Sequence, residues 1–424
     1  MRSPMRRVLS REDLQAFVAG SSVYATGGGG IMPSDESFNK MISRINAFGS
    51  YPELISQDEL SISDVAFSYG GAGGGIQYDV RAKYTLAPGS DPSYERWVRG
   101  FDQYAWIENQ IREMDRRFPL AKWSVIPDSQ WGSVAEKELE NIIGAKPVAL
   151  LLGEIGPNGL GLMMKSAEKK VPIVDGDIAG HRAVPEASIS SLNLFEINPC
   201  PLVLSTPWGD VIRIDKVLSF QRLEDITRHL AISAGGQVNS VSAIAAENVK
   251  KAVVQGSISK TIEVGRVILE NRSEEELLEK ILRATGGALL FEGKVSAFMR
   301  EPRDAFNWGE IRITGASEFS GHSISIWFKN ENHVAWLDGS PLVTSPDLIS
   351  VVDLSTGVGL SNAWNQEWSY GRDVAVVGIP AWKGWLCERG LQIFGPKHFG
   401  FDINYKPLTT IIGDSASRMI APRG

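Results

Sequence analysis

The chain has 424 residues, 43% of them hydrophobic, enough to build two cores without disulfide staples. A formal net charge of −7 with no long run of Lys or Arg excludes the electrostatic footprint of a nucleic-acid or anionic-membrane binder and favours a small-molecule ligand. Cys200 and Cys387 are the only cysteines and lack CxxC spacing, so neither a disulfide framework nor a cysteine zinc site is indicated, and a reducing, cytoplasmic setting is expected.

The first residues, MRSPMRRVLSREDL, run into Glu12 and Asp13 instead of an apolar core, unlike a signal peptide. Ser10 with Asp13 forms a capping-box pattern, and Leu14, Phe17 and Val18 give the following segment one apolar face, predicting a helix over 11–22. ATGGGG, residues 25–30, stops it. Pro33, Ser34 and Asp35 then open a second helix carrying Phe38, Met41, Ile42 and Ile45, so the glycines are read as leading into a helix N-terminus. Val65 to Phe67 reads as a short strand ending at a second glycine cluster, Gly70 to Gly75. Residues 79–131 read as an insertion with a helix near Tyr104 to Arg117.

The pattern then alternates. A helix on Ala135, Leu139 and Ile142 is followed by the apolar strand 147–152, a helix on Leu160, Met163, Met164 and Ala167, and a second strand from Val171 to Val174. This is a βαβ unit with parallel strands, and their unbroken apolar character means that both sheet faces are covered. Later helices are expected at 225–233, across 256–269 and at 273–282, and strands after Gly287, with a hairpin turn at Asp338-Gly339. The fold class is α/β: an N-terminal α/β domain, 1–202, with a mostly parallel or mixed sheet, then a smaller domain, 203–424, helical over 225–285 and β-rich over 288–410.

Ligands of open parallel sheets bind beyond the carboxyl ends of the strands. The loop after Leu152 offers Glu154 and Asn158, and the loop after Val174 offers Asp175, Asp177, His181, Arg182 and Glu186. Asp175, Asp177, Glu154 and Glu186 are candidate general acids or bases. Asp175, Asp177, His181 and Glu186 are equally divalent-metal ligand types without HxH or HExxH spacing, or carboxylates that tie down a loop. Gly27, Gly28, Gly29 and Gly30 can bring backbone N–H groups to a ligand or simply make a tight turn; neither GxxxxGK[ST] nor GxGxxG is present. Arg182 either grips a substrate carboxylate or pairs with Glu186. Cys200, between two prolines, reads as inert, and His322 and His333 read as structural.

The segments ATGGGG, EIGPNG, VPIVDGDIAGHRAVPE, GSISKTIEVGR, KNENHVAWLDG, SPDLISVVD, YGRDVAVVGIP and GPKHFGFD resemble, in order and over nearly the whole chain, a bacterial family associated with S-methyl thiohydantoin desulfurase and found beside hydantoinases. The resemblance implies an α/β domain followed by a smaller β-rich one, and hydrolysis of a methylthio-imidazolinone ring to a hydantoin and methanethiol. It carries over to Thr26 to Gly30, Glu154, Asn158, Asp175, Asp177, Arg182, Pro185, Glu186, Asn330, Glu331, Asp347 and Gly371. Against the family pattern, His181 is inserted before Arg182, EIGPNG is one residue short of EIGGxN, and 79–131 is extra.

For such a reaction Asp175 or Asp177 is the expected base, Glu154 or Glu186 the acid, the N–H groups of Gly27 to Gly30 the stabiliser of developing charge, with Asn158 and Arg182 holding substrate. Two other readings stand beside it: a non-catalytic partner subunit of a hydantoinase-type complex, and an anion- or nucleotide-binding regulator. The Trp-rich C-terminal loops lead us to expect a homo-oligomer.

Overall fold

The computed structural model describes residues 6–74, 131–206, 209–234, 236–271, 274–363 and 368–412. The first helix, α1 (Arg11–Tyr24), starts where the sequence places it: the Ser10 side chain accepts from the Asp13 N–H, and Asp13 answers at the Ser10 N–H. Next come α2 (Asp35–Phe48), α3 (Trp131–Ile143), α4 (Leu160–Lys169), α5 (Phe220–Ser233), α6 (Ser257–Glu270) and α7 (Glu274–Thr285). Each predicted helix within the described residues is present; the one expected at 104–117 lies outside them.

Nine strands form a mixed sheet: β1 (Arg7–Val8), β2 (Glu53–Ile55), β3 (Val65–Gly73), β4 (Ala149–Leu152), β5 (Ile173–Asp177), β6 (Leu202–Ser205), β7 (Val211–Ile214), β8 (Gln237–Ala245) and β9 (Val254–Gln255). Their order is β1-β2-β5-β4-β3-β8-β6-β7, with β9 on β5. β2, β5, β4 and β3 run parallel to their neighbours in this group. The central strand β4 shows why its sequence is apolar throughout. Leu150 and Leu152 face a core made with Phe17, Phe38 and Met163, whereas Ala149 and Leu151 face Ile244 and Val249 on the other side.

The second glycine cluster corrects the expectation of a loop. Gly70, Gly71 and Gly73 continue β3, paired antiparallel with Ser240, Asn239 and Gln237 of β8. A side chain at Gly71 would meet the Val238 carbonyl at 2.4 Å, so the strand is bare where β8 crosses closely.

The second sheet is antiparallel throughout: β10 (Ala288–Arg303), β11 (Phe306–Gly315), β12 (Ser323–Lys329), β13 (Glu331–Leu337), β14 (Ser340–Thr344), β15 (Leu348–Asp353) and β16 (Asp373–Ile379), ordered β14-β13-β12-β11-β10-β16-β15. Asp338 and Gly339 take positive φ and make the predicted hairpin. Ile324, Ile326 and Phe328 alternate into a core that also contains Leu14 and Val23 of α1 and Ile258 and Ile262 of α6.

The contact between α1 and α6 is closest at Gly265, where an added Cβ would lie 1.6 Å from the Ala16 carbonyl oxygen. Gly265→Ala should therefore force the helices apart at a cost of about 1–3 kcal/mol, read as a lower Tm in thermal unfolding. An unchanged Tm would show that the crossing has slack.

Candidate active site

The first glycine run sits at the C-terminal end of α1, not at the start of a helix. Residues 31–34 separate it from α2. The expectation of a helix N-terminus is thus corrected, and an anion here would face the negative end of the α1 dipole. Thr26, Gly27, Gly29 and Gly30 all have positive φ. Three distant segments hydrogen-bond to this turn: Asn332 N–H to Thr26 O (2.8 Å), Asn362 N–H to Gly27 O (2.7 Å) and Asn158 N–H to Gly29 O (3.1 Å). Gly28 answers why the run lacks side chains, because a Cβ there would fall 1.7 Å from Glu331 Oε1.

Glu331 opens β13 and is buried, 2% exposed. One oxygen lies over the glycine turn, where the Gly29 N–H holds it, and Oε2 has no hydrogen-bond partner. Burial pushes its carboxyl well above the ordinary range, the neighbouring Glu154 charge adds to this, and Arg182 opposes it. Glu154, just past the end of β4, is half-buried; it accepts from the Val184 N–H (3.0 Å) and the Asn158 amide (3.1 Å). Burial raises its pKa also, against those two donors. Gly28 is half-buried, and Gly30 and Asn158, whose amide meets Glu154, are exposed, so this turn lies near the protein surface.

Arg182 is fully buried and ties this region together. Its guanidinium donates to Pro346 O (2.9 Å), Thr26 Oγ1 (3.2 Å) and Ala183 O (3.1 Å), and lies over the Phe394 ring at 4.6 Å. Burial draws its pKa down to about 10, while Glu331 and Asp347 hold it up. Its donors are directed to the protein's own oxygens, and it makes no pair with Glu186.

The remaining sequence candidates are engaged elsewhere. Asp175 accepts from the Ser259 N–H (2.9 Å) and hydroxyl (2.6 Å), fixing the first turn of α6. Asp177 is fully buried and accepts from the N–H groups of Ala179 (2.7 Å) and His181 (3.1 Å), closing its own loop; burial raises it to about 7. His181 stacks on Tyr24 at 3.9 Å with Nε2 3.1 Å from Thr261 Oγ1, and burial holds it neutral, down to about 3. Glu186 pairs with Lys329 (2.5 Å), His398 (3.1 Å) and the Ser188 hydroxyl (2.9 Å). Among the described residues no three His, Cys, Asp or Glu side chains are grouped so as to hold a metal. The aromatic GPKHFGFD segment packs inward, Phe399 stacking on His333 at 4.0 Å and Phe401 against Trp327 at 5.0 Å.

Family models fit this architecture in two consecutive pieces: the S-Me-THD-like N-terminal domain over residues 124–216 and the S-Me-THD-like C-terminal domain over 219–408. The chain belongs to the S-Me-THD-like family. No curated protein matches it. A crystal structure of a protein from Chromobacterium violaceum is similar with a TM-score of 0.67 at 19% identity, covering 96% of this chain and 100% of that one, which shows a shared fold. In this S-Me-THD-like chain Glu154 and Arg182 fall in the first matched piece and Glu331 in the second, and the glycine run precedes both. The structure thus brings together Gly27 to Gly30, Asn158, Glu154 and Arg182 from the sequence candidates. It adds Glu331, quoted before only through family likeness, and Asn362, for which no local motif gives a signal.

Glu186 supplies a stability test. Its carboxyl is held below the ordinary range: burial opposes this, but His398 and Lys329 outweigh it. A folded-state pKa below the unfolded one gives stability that is present above about pH 4.3 and lost as pH falls through the folded value. Glu186→Gln should cost about 3 kcal/mol in urea unfolding at pH 7. The gap to wild type should narrow below pH 4; a gap independent of pH would show that the ion pairs contribute nothing.

Proposed function

We propose that the protein is a hydrolase of a small five-membered ring of the S-methyl thiohydantoin type, releasing methanethiol and leaving a hydantoin, with Glu154 and Glu331 moving the protons. The observation that carries this is the pair itself: two carboxyls both raised by burial, Glu331 further by the Glu154 charge, with Glu154 just beyond the end of a parallel strand. Like charges in one site separate their pKa values, so one member stays an acid while the other serves as base. Glu331, more deeply buried, is the acid; half-buried Glu154 is the base. Family membership supports the substrate class.

In the reaction, Glu154 takes a proton from water as its oxygen bonds to the ring carbon bearing sulfur, and Glu331 protonates the adjacent imine nitrogen. The tetrahedral carbon then expels methanethiolate, which leaves with the proton held by Glu154. The hydroxyl proton of the intermediate returns to Glu331 as the carbonyl forms. Water is consumed, one C–S bond breaks and one C–O bond forms, with no redox change. Asp175, Asp177 and Glu186 hold loops in this scheme.

Glu154→Gln and Glu331→Gln should each lower methanethiol release by about 10²–10⁴-fold. The wild-type rate should rise with pH as Glu154 loses its proton, above the usual carboxylate range, and fall as Glu331 loses its own; Glu331→Gln should abolish the alkaline fall. Turnover that survives Glu154→Gln unaltered removes the assignment.

A further inference from the structure

Beside the carboxyl pair lies a second buried acceptor that the reaction scheme leaves unused. Asn362 is fully buried, and its side chain abuts Gly27: a Cβ at that glycine would meet Nδ2 at 2.2 Å and Oδ1 at 3.0 Å. Its amide nitrogen is spent, donating to Asn330 O (2.8 Å) and Asn332 Oδ1 (2.9 Å), which fixes the orientation of the amide group. Its Oδ1 has no partner among the described residues, and the same holds for Glu331 Oε2 at the next glycine. The surrounding donors are committed: the Gly28 N–H to Ala25 O, Asn332 Nδ2 to Ile349 O, and Arg182 to Thr26 and backbone carbonyls. Buried polar atoms find partners as a rule, in the protein or in ordered water, so these two oxygens are available to a donor on a ligand.

We propose that Asn362 is a substrate-recognition residue whose Oδ1 accepts a ring N–H, while Glu331 addresses the nitrogen on the other side of the reacting carbon. The inference rests on the desulfurase reading for its choice of ring. An S-methylated thiohydantoin presents the edge N=C(SCH3)–NH, an acceptor and a donor flanking the carbon to be attacked. A protonated carboxyl against Gly28 and an amide oxygen against Gly27 offer the complementary donor and acceptor. In the product complex Glu331 carries its proton again, and Oδ1 still accepts a ring N–H of the hydantoin. A ring alkylated on nitrogen has no donor to give and leaves Oδ1 unpaired in a dry site, which is where polar specificity is strongest.

The test is titration calorimetry of the full chain with hydantoin and with N,N′-dimethylhydantoin, repeated on Asn362→Ala after its fold has been checked by circular dichroism. Wild type should bind hydantoin about 10- to 100-fold more tightly than the dimethyl compound. Asn362→Ala should lose most of this preference, keeping only the part that the second ring nitrogen contributes at Glu331. The proposal is overturned if wild type binds the two equally or binds neither, or if Asn362→Ala keeps the full preference. Should the variant not fold, the wild-type comparison still decides, since a resident water on Oδ1 gives no preference. Methanethiol release is scored separately, so loss of the desulfurase reading and loss of this one are distinguishable.

Discussion

A guanidinium with no access to solvent organises the molecule. Arg182 keeps its charge inside because it is surrounded by carbonyl oxygens, a threonine hydroxyl and an aromatic face. Each of those groups belongs to a different stretch of chain, so the charge can be accommodated only when the glycine turn, the 182–186 loop, the segment before β15 and Phe394, at the end of a short helix (Glu388–Phe394), are all in place. The same positive charge opposes the upward shift of Glu331. Removing it would leave carbonyls unpaired and a carboxyl cluster without its counterweight, which is why the residue reads as an organiser of the site and not as a hand for the substrate.

Much of the architecture could be read locally. The 3.6-residue spacing of Phe38, Ile42 and Ile45 and the unbroken Ala149-to-Leu152 run state their environments directly, since burial on one face or two leaves a pattern along the chain. Gly70 to Gly73 could not be read so. A strand without side chains has no periodicity, and its reason lies across the sheet in β8. The glycine turn was misplaced for a related reason: its proximity to α2 in sequence suggested a helix start, whereas its hydrogen bonds run to residues 158, 332 and 362.

The site divides similarly. Position after a β-strand is a sequence property, and it located Glu154, Asn158 and Arg182. It could not rank the carboxylates, because Asp175 and Asp177 fall within β5 itself, which runs to Asp177, and what each meets, an α6 N–H or a loop's own N–H groups, is settled only in space. Glu331 begins a strand whose first five residues are all buried, and Asn362 stands in the connection between β15 and β16. Their importance comes from unpartnered oxygens, and a missing hydrogen bond has no signature in a string of letters.

The two acidic groups come from opposite sides of the boundary between the matched family segments, near residues 216 to 219. Neither segment therefore carries both carboxyls. Under the proposed reaction the halves are bound to one another in inheritance, since a gene fragment encoding either one carries a single carboxyl of the two, and their codons stand more than a hundred apart.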